Sequence, residues 1–394
     1  MLPKFYLNHL QNRLKRAQVV TLEILVWLLQ VHKDVRIEKL ASHYPLPIKL
    51  ESRRRHLQRF LALPNLSIPL VWFPLIKDII EQNCPKSKPL YLALDRTQWK
   101  DKNLFMVAVI QKKRALPIYW QFLSKKGASN FQEQKAILKA VFKLLKSYQL
   151  IILGDREFHS IELANWLQHR KVSFVLRQKK DRKIKEKGHD SQLLNAFEFY
   201  PGQCHFFSGV GVGEKGFGQF NLAVKWKRKY RGKVEKEPWY LLTNLPNLSF
   251  TVKAYQKRMG IEAMFKDCKS GGYNLEGSSA SIQRLTNLVL LIAIAYTFST
   301  LKGQSLLRKG EGLSSESHSE ACKPRQKEYV SRLRKVHQVM TKNSKFLLGL
   351  YGQVWIISQS VVRDWVEELM RLNRHKLPFY QRGLRAMELI QQGF

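Results

Sequence analysis

The stretch YQKRMGIEAMFKDCK, residues 255–269, spaces four polar side chains as Y-x2-R-x3-E-x6-K: Tyr255, Arg258, Glu262 and Lys269. On a helix predicted over 251–269 these fall at about 0, 300, 340 and 320 degrees, along one narrow face about 21 Å long. Ala254, Ile261, Met264, Phe265 and Cys268 fall at roughly 180 to 280 degrees, so an apolar arc adjoins the polar stripe and can dock it on a sheet. Such a helix can be anchored and chemically active at once.

Upstream, residues 90–94 have strand composition and end at Asp95, and residues 104–110 and 116–122 follow as two more strands across short polar turns. Asn130 with Glu133 can cap the next helix, whose apolar face is Ile137, Val141, Leu144 and Leu145. A strand at 150–153 then delivers Gly154 and Asp155, before a helix at about 161–170 and a strand at 172–176. The predicted order is βββαβαβ. That order, with acids at strand ends, resembles the α/β ribonuclease-H-like nucleotidyl-transferase core, a mixed sheet followed by a catalytic helix.

The remaining chain divides by composition. Residues 1–85 read as helical, with a helix-turn-helix order that puts Arg53, Arg54, Arg55 and Arg59 on a candidate recognition helix. Residues 86–180 and 239–301 make the expected core, ending in an apolar helix over about 283–301. Between them, 181–238 reads as an inserted β-rich, DNA-binding subdomain with two basic runs flanking a Gly-rich stretch. No G-x4-G-K-[ST] occurs there, which disfavours a nucleotide cofactor. Residues 302–327 read as a linker and 328–394 as a helical region.

Composition bounds the partner. Lys and Arg number 68 against 30 Asp and Glu, and the net charge of +38 calls for a polyanion, naturally nucleic acid. Nine Trp and 44% hydrophobic residues argue for packed domains rather than a basic tail. The four cysteines show no zinc spacing. With no secretory signal at the start, and a longest apolar run, 288–298, shorter than the roughly 20 residues a bilayer needs, a cytoplasmic, nucleoid-associated protein without a membrane partner is expected.

Phosphodiester cleavage needs an activated nucleophile, a neutralised phosphate and a stabilised leaving oxygen, which two divalent ions about 4 Å apart can supply. Three carboxylates from separate elements, Asp95, Asp155 and Glu262, can hold such a pair, with Mg²⁺ as the expected ion and Mn²⁺ as a substitute. ALDRTQW around Asp95, LGDREF around Asp155, PWYLLTNLP around Trp239 and the 255–269 signature together resemble the DDE transposases of the insertion-sequence-four type, the YREK family, over about 86–300.

The resemblance implies Asp95 as the ligand shared by both metals, with Asp155 and Glu262 each completing one site. It also implies phosphate contacts from Tyr255, Arg258 and Lys269, and Trp239 stacked on a flipped base. Arg156 is expected at a phosphate, and close approach to DNA is one reason for Gly260 in the signature helix. The implied protein is a bacterial insertion-sequence transposase, a homodimer on double-stranded DNA. It would bind inverted terminal repeats and perform hydrolysis and strand transfer, through hairpin ends if the resemblance extends that far. A structure-specific nuclease on the same core and a domesticated, non-cleaving regulator are the alternatives.

Overall fold

The computed structural model describes residues 2–213, 216–228, 232, 235–311, 359–372 and 378. Two compact units emerge: Ile76–Phe265, and Met1–Leu75 with Lys266–Phe394.

The first unit is built on a sheet of ten strands. They are β1 (Leu90–Trp99), β2 (Lys102–Gln111), β3 (Arg114–Phe122), β4 (Leu150–Gly154), β5 (Ser173–Arg177), β6 (Lys183–Lys185), β7 (Gln192–Leu193), β8 (Cys204–Val212), β9 (Phe217–Lys225) and β10 (Trp239–Thr243). Their spatial order is β3-β2-β1-β4-β5-β10-β9-β8-β6-β7. β4 pairs in parallel with β1 and β5, and the other pairs are antiparallel. This is a mixed α/β core with a mixed sheet, consistent with a ribonuclease-H-like architecture. The segment 181–238 is β-rich as read, but β8 and β9 extend the core sheet through β10 rather than forming a sheet of their own. Alternation along a chain gives no hint of which distant strand a hairpin will pair with.

Helices of this unit cover both sheet faces. The helix at Phe131–Leu144 starts on the expected capping box: Asn130 Oδ1 accepts from the Glu133 N–H at 3.0 Å, and Glu133 returns the bond to the Asn130 N–H at 2.7 Å. With the helix at Ile161–His169 it packs on the β2, β3 and β5 side. On the other face, Ile151, Leu153, Val175 and Leu241 alternate toward Val252 and Ala254 of the helix at Leu248–Gln256. β4 is buried at all five positions, as a strand covered on both faces must be.

The second unit is helical. Numbering all helices in chain order, α1 (Lys4–Gln11), α2 (Arg16–His32), α3 (Ile37–His43) and α4 (Leu50–Phe60) lead into a π-turn at Ile68–Trp72, and α5 (Phe73–Asn83) begins in this unit and continues as part of the sheet unit from Ile76. The sheet unit holds α6 (Phe131–Leu144), α7 (Ile161–His169) and α8 (Leu248–Gln256), and α9 (Met259–Cys268) follows. The chain then forms α10 (Ile282–Glu311) and α11 (Gln359–Leu372). α10 outruns its predicted end by ten residues, so the expected linker begins as helix, and 312–327 lies outside the described residues. Within the helical unit, α10 packs on α2, where Gln30 Nε2 donates to the Ala295 carbonyl at 3.3 Å. Ile282–Ser305 is long and apolar enough to cross a bilayer, yet 78% of its most apolar window is buried inside the structure. Of the predicted helical region 328–394, α11 is described; it packs on α2 through Trp27 and Trp365, edge to face at 6.1 Å, and through an Arg16–Glu368 ion pair.

Candidate active site

Two aspartates meet where β1 and β4 part. The parallel register is Leu92 with Ile152 and Ala93 with Leu153, so Asp95 and Asp155, each two residues further on, reach adjacent positions. β1 does not end at Asp95 as predicted; it continues to Trp99 because β2 goes on pairing with it, Asp95 facing Met106 and Trp99 facing Lys102. Asp155 instead leaves its strand and starts a 3-10 turn, Arg156–Phe158, its Oδ1 accepting the Glu157 N–H at 2.9 Å. Gly154 makes this turn possible: a Cβ there would sit 2.7 Å from Phe158 Cβ and 2.9 Å from Leu176 Cδ2. Gly154→Ala is expected to push the turn and Asp155 aside, costing about 1–3 kcal/mol by overpacking. Urea denaturation measures that cost, and wild-type stability in the variant would contradict it.

Arg258 joins the third acid to the first. Its Nη1 donates to Asp95 Oδ2 at 3.3 Å and its Nη2 to Glu262 Oε1. Burial pushes the Asp95 carboxyl up to about 6; Arg258 opposes this, while Asp155 and Glu262 add to it. For Arg258 burial works against the charge, but Tyr255, Asp95, Glu262 and Asp155 outweigh it and raise the guanidinium. Glu262 is the accessible member, its side chain 44% exposed against 9% for Arg258.

The signature is not one helix. α8 ends at Gln256 and α9 begins at Met259, with a turn between whose Lys257 and Arg258 N–H groups bond three residues back, to Ala254 and Tyr255. The angles of a continuous helix therefore do not carry across it. Tyr255 is buried on the α8 side, whereas Glu262 lies one turn into α9. Gly260 has a reason within the fold: its missing Cβ would lie 3.3 Å from Ala115 N, Arg114 C and Ile110 Cδ1 of the β2–β3 hairpin. The close approach is to protein backbone.

Trp239, at the start of β10, is 8% exposed and meets the Tyr255 ring edge-on at 5.1 Å, while Lys227 Nζ lies 4.7 Å over its face. Both rings belong to the core cluster under α8 and also line a cavity of about 710 Å³. Arg156, Arg177, Lys180, Lys227, Lys236 and Arg258 bring positive charge to that cavity, against Glu235, Glu237 and Glu262. Glu237 accepts from both Arg156 and Arg177, and Glu235 pairs with Lys227. Burial pushes the Tyr255 hydroxyl up, with Arg258 and Arg177 pulling the other way.

The remaining candidates lie in the helical unit. Arg53 donates to the Ser42 and Tyr44 carbonyls at 3.3 and 3.0 Å, closing the end of α3, and burial lowers its guanidinium. Arg54 and Arg55 share Glu51, and Arg59 is exposed in the last turn of α4. Lys269 follows the end of α9 and pairs with Glu276 at 2.6 Å. Sequence reading missed Arg96, Arg177 and Lys227 and left Glu157 without a role. The available signal was charge order: a basic residue directly after one strand acid and an acidic one two places after the other.

Residues 106–298 match the family described as the transposase DDE domain. Over that stretch, just under half of its length, the chain is similar to a DDE-type transposase domain. Asp155 and Glu262 lie inside the matched stretch, and Asp95 lies just before it. Among solved structures, the cryo-EM structure of a piggyBac transposase synaptic complex with hairpin DNA is similar over 90% of this chain and 76% of that one, at 14% identity and a TM-score of 0.40. No curated protein matches the chain.

Proposed function

We propose that this protein is a cut-and-paste DNA transposase of the insertion-sequence-four, YREK type, with Asp95, Asp155 and Glu262 as its catalytic carboxylates. The observation carrying this reading is their arrangement: two aspartates at adjacent strand positions, with Glu262 tied to Asp95 through Arg258, beside a cavity rich in cations.

The donors fit a hard divalent ion in kind, since all are carboxylate oxygens and the Asp155 charge works against the buried Asp95 charge. Their present arrangement is incomplete for that purpose. Among the described residues no group of three or more His, Cys, Asp or Glu side chains is placed to hold a metal, and Glu262 is engaged with Arg258. Asp95, Asp155 and Glu262 would hold Mg²⁺ or Mn²⁺, which when bound activates the nucleophile and neutralises the phosphate. Metal binding would require the Glu262 side chain, 44% exposed, to turn from Arg258 toward the aspartates. Arg258, freed from it, can fork a phosphate oxygen pair, and Arg156 and Arg177 can do the same where Glu237 now sits. A base entering the cavity would reach the Trp239 face by displacing Lys227, and aromatic stacking of about 1–3 kcal/mol favours that exchange. Tyr255, edge-on to the indole, helps hold it in place.

A homodimer on DNA, bringing two element ends together in the bacterial cytoplasm, completes the proposal, with Lys269 and the α4 arginines as further phosphate contacts. Labelled DNA carrying the inverted repeats that flank the coding region, incubated with protein and Mg²⁺, should be nicked to a 3′-hydroxyl and then joined to target DNA. Nicking of branched DNA without joining would favour the nuclease. Binding without any nick would favour a regulator.

A further inference from the structure

We infer that Arg96 and Glu157 are positioning residues that set the spacing between the Asp95 and Asp155 carboxylates, an inference resting on the reading of those aspartates as a metal-binding pair. The contacts form a closed loop. The Arg96 N–H donates to Asp95 Oδ1 at 2.8 Å, and the Glu157 N–H donates to Asp155 Oδ1 at 2.9 Å. The side chains of the same two residues meet, Arg96 Nε donating to Glu157 Oε1 at 3.1 Å and Oε2 at 2.9 Å. Each aspartate is therefore held by the backbone of a residue whose side chain grips the other's holder.

This link lies where the sheet supplies none. The β1–β4 register ends at Ala93 and Leu153, so the acids sit beyond the last paired positions of the two strands. Like charges on neighbouring strands repel, and unlinked ends would part. The ion pair resists that separation from a well-supported place. Glu157 Oε1 also accepts the Ser129 N–H and hydroxyl, both at 3.0 Å, while Arg96 Nη1 donates to Asn103 Oδ1 at 2.9 Å. The Asn103 amide in turn binds the Lys125 and Gly127 carbonyls at 2.7 and 3.0 Å. With side chains 16% and 15% exposed, Arg96 and Glu157 are fixed on several sides, as outer-shell partners of ligating carboxylates need to be.

The test is a Mn²⁺ titration of the full chain, read by the loss of free Mn²⁺ in electron paramagnetic resonance and, separately, by the Mn²⁺ dependence of nicking. Glu157→Gln should raise half-saturation in both by about 10- to 100-fold, the usual cost of losing an outer-shell partner, with DNA-end affinity unchanged. Arg96→Lys, which keeps charge but not the fork, should fall between. Ser129→Ala, which removes one bond to Glu157, should shift half-saturation the same way by less; it serves if Glu157→Gln does not fold. Wild-type Mn²⁺ affinity in a folded Glu157→Gln chain, or activity lost equally at every Mn²⁺ concentration, would make the pair merely structural and overturn the inference. Asp155→Asn distinguishes the deeper failure: unchanged Mn²⁺ uptake and nicking there would remove the metal-binding reading itself.

Discussion

Glu262→Gln is expected to lower Mg²⁺-dependent nicking of an element end by about a thousandfold or more, the scale seen when one member of a catalytic set acting as a unit is removed. Binding of that end should stay close to wild type. The separation follows from exposure: the Glu262 side chain is 44% exposed and, among the described residues, pairs with Arg258, so an isosteric amide disturbs little of the fold. Gln keeps a carbonyl for Arg258 but lacks the negative charge that a hard divalent ion requires. Losing that charge also leaves Arg258 more available to phosphate, which works against any loss of DNA affinity. Nicking of labelled ends with Mg²⁺, beside a gel-shift titration without it, measures both quantities. Retained cleavage would remove Glu262 from the catalytic set. A parallel collapse of binding would instead make it part of the DNA-binding surface.

The elements carrying the site could be read locally to different degrees. β4 and β5 are short apolar runs bounded by Gly, Asp and charged residues, and α6 announces itself by its capping box, so their order followed from periodicity and punctuation. The far half of β1 could not be read this way. Asp95, Arg96, Thr97 and Gln98 resemble a polar turn, and only pairing with β2, a tertiary contact, keeps them extended. The break between α8 and α9 has no Pro or Gly at Lys257 or Arg258 to mark it. What lies there is a buried guanidinium reaching Asp95, 163 residues away in the chain. The acids themselves were legible because a carboxylate after an apolar run is conspicuous. Their cross-link through Arg96 and Glu157 was not, since an ion pair across 61 residues leaves no periodic trace.

Asp95→Asn should make the metal-free protein more stable at pH 8, and the gain should disappear on acidification. A folded-state value of about 6 against an unfolded one of about 3.9 means that folding disfavours the Asp95 charge. Above about pH 6 the wild type carries this cost in full; as pH falls toward 4 the folded carboxyl takes up its proton first, and stability is regained. Two pH units correspond to about 3 kcal/mol, an upper bound on the difference between variant and wild type at pH 8. Urea denaturation at pH 8, 6 and 4.5 without divalent ions measures the trend. An Asn variant less stable than wild type at pH 8 would show that the Arg258 attraction outweighs burial. If Asp95 is the ligand proposed above, Mn²⁺ should then invert the ranking: an ion that binds the folded wild type stabilises it by mass action, whereas the variant lacks that ligand and gains little. A carboxylate kept buried, beside another acid and at a cost to the free fold, is what a site selected for a cation would retain. The crossing of the two stability curves with added Mn²⁺ is therefore the equilibrium signature of the proposed chemistry, measurable without DNA and without turnover.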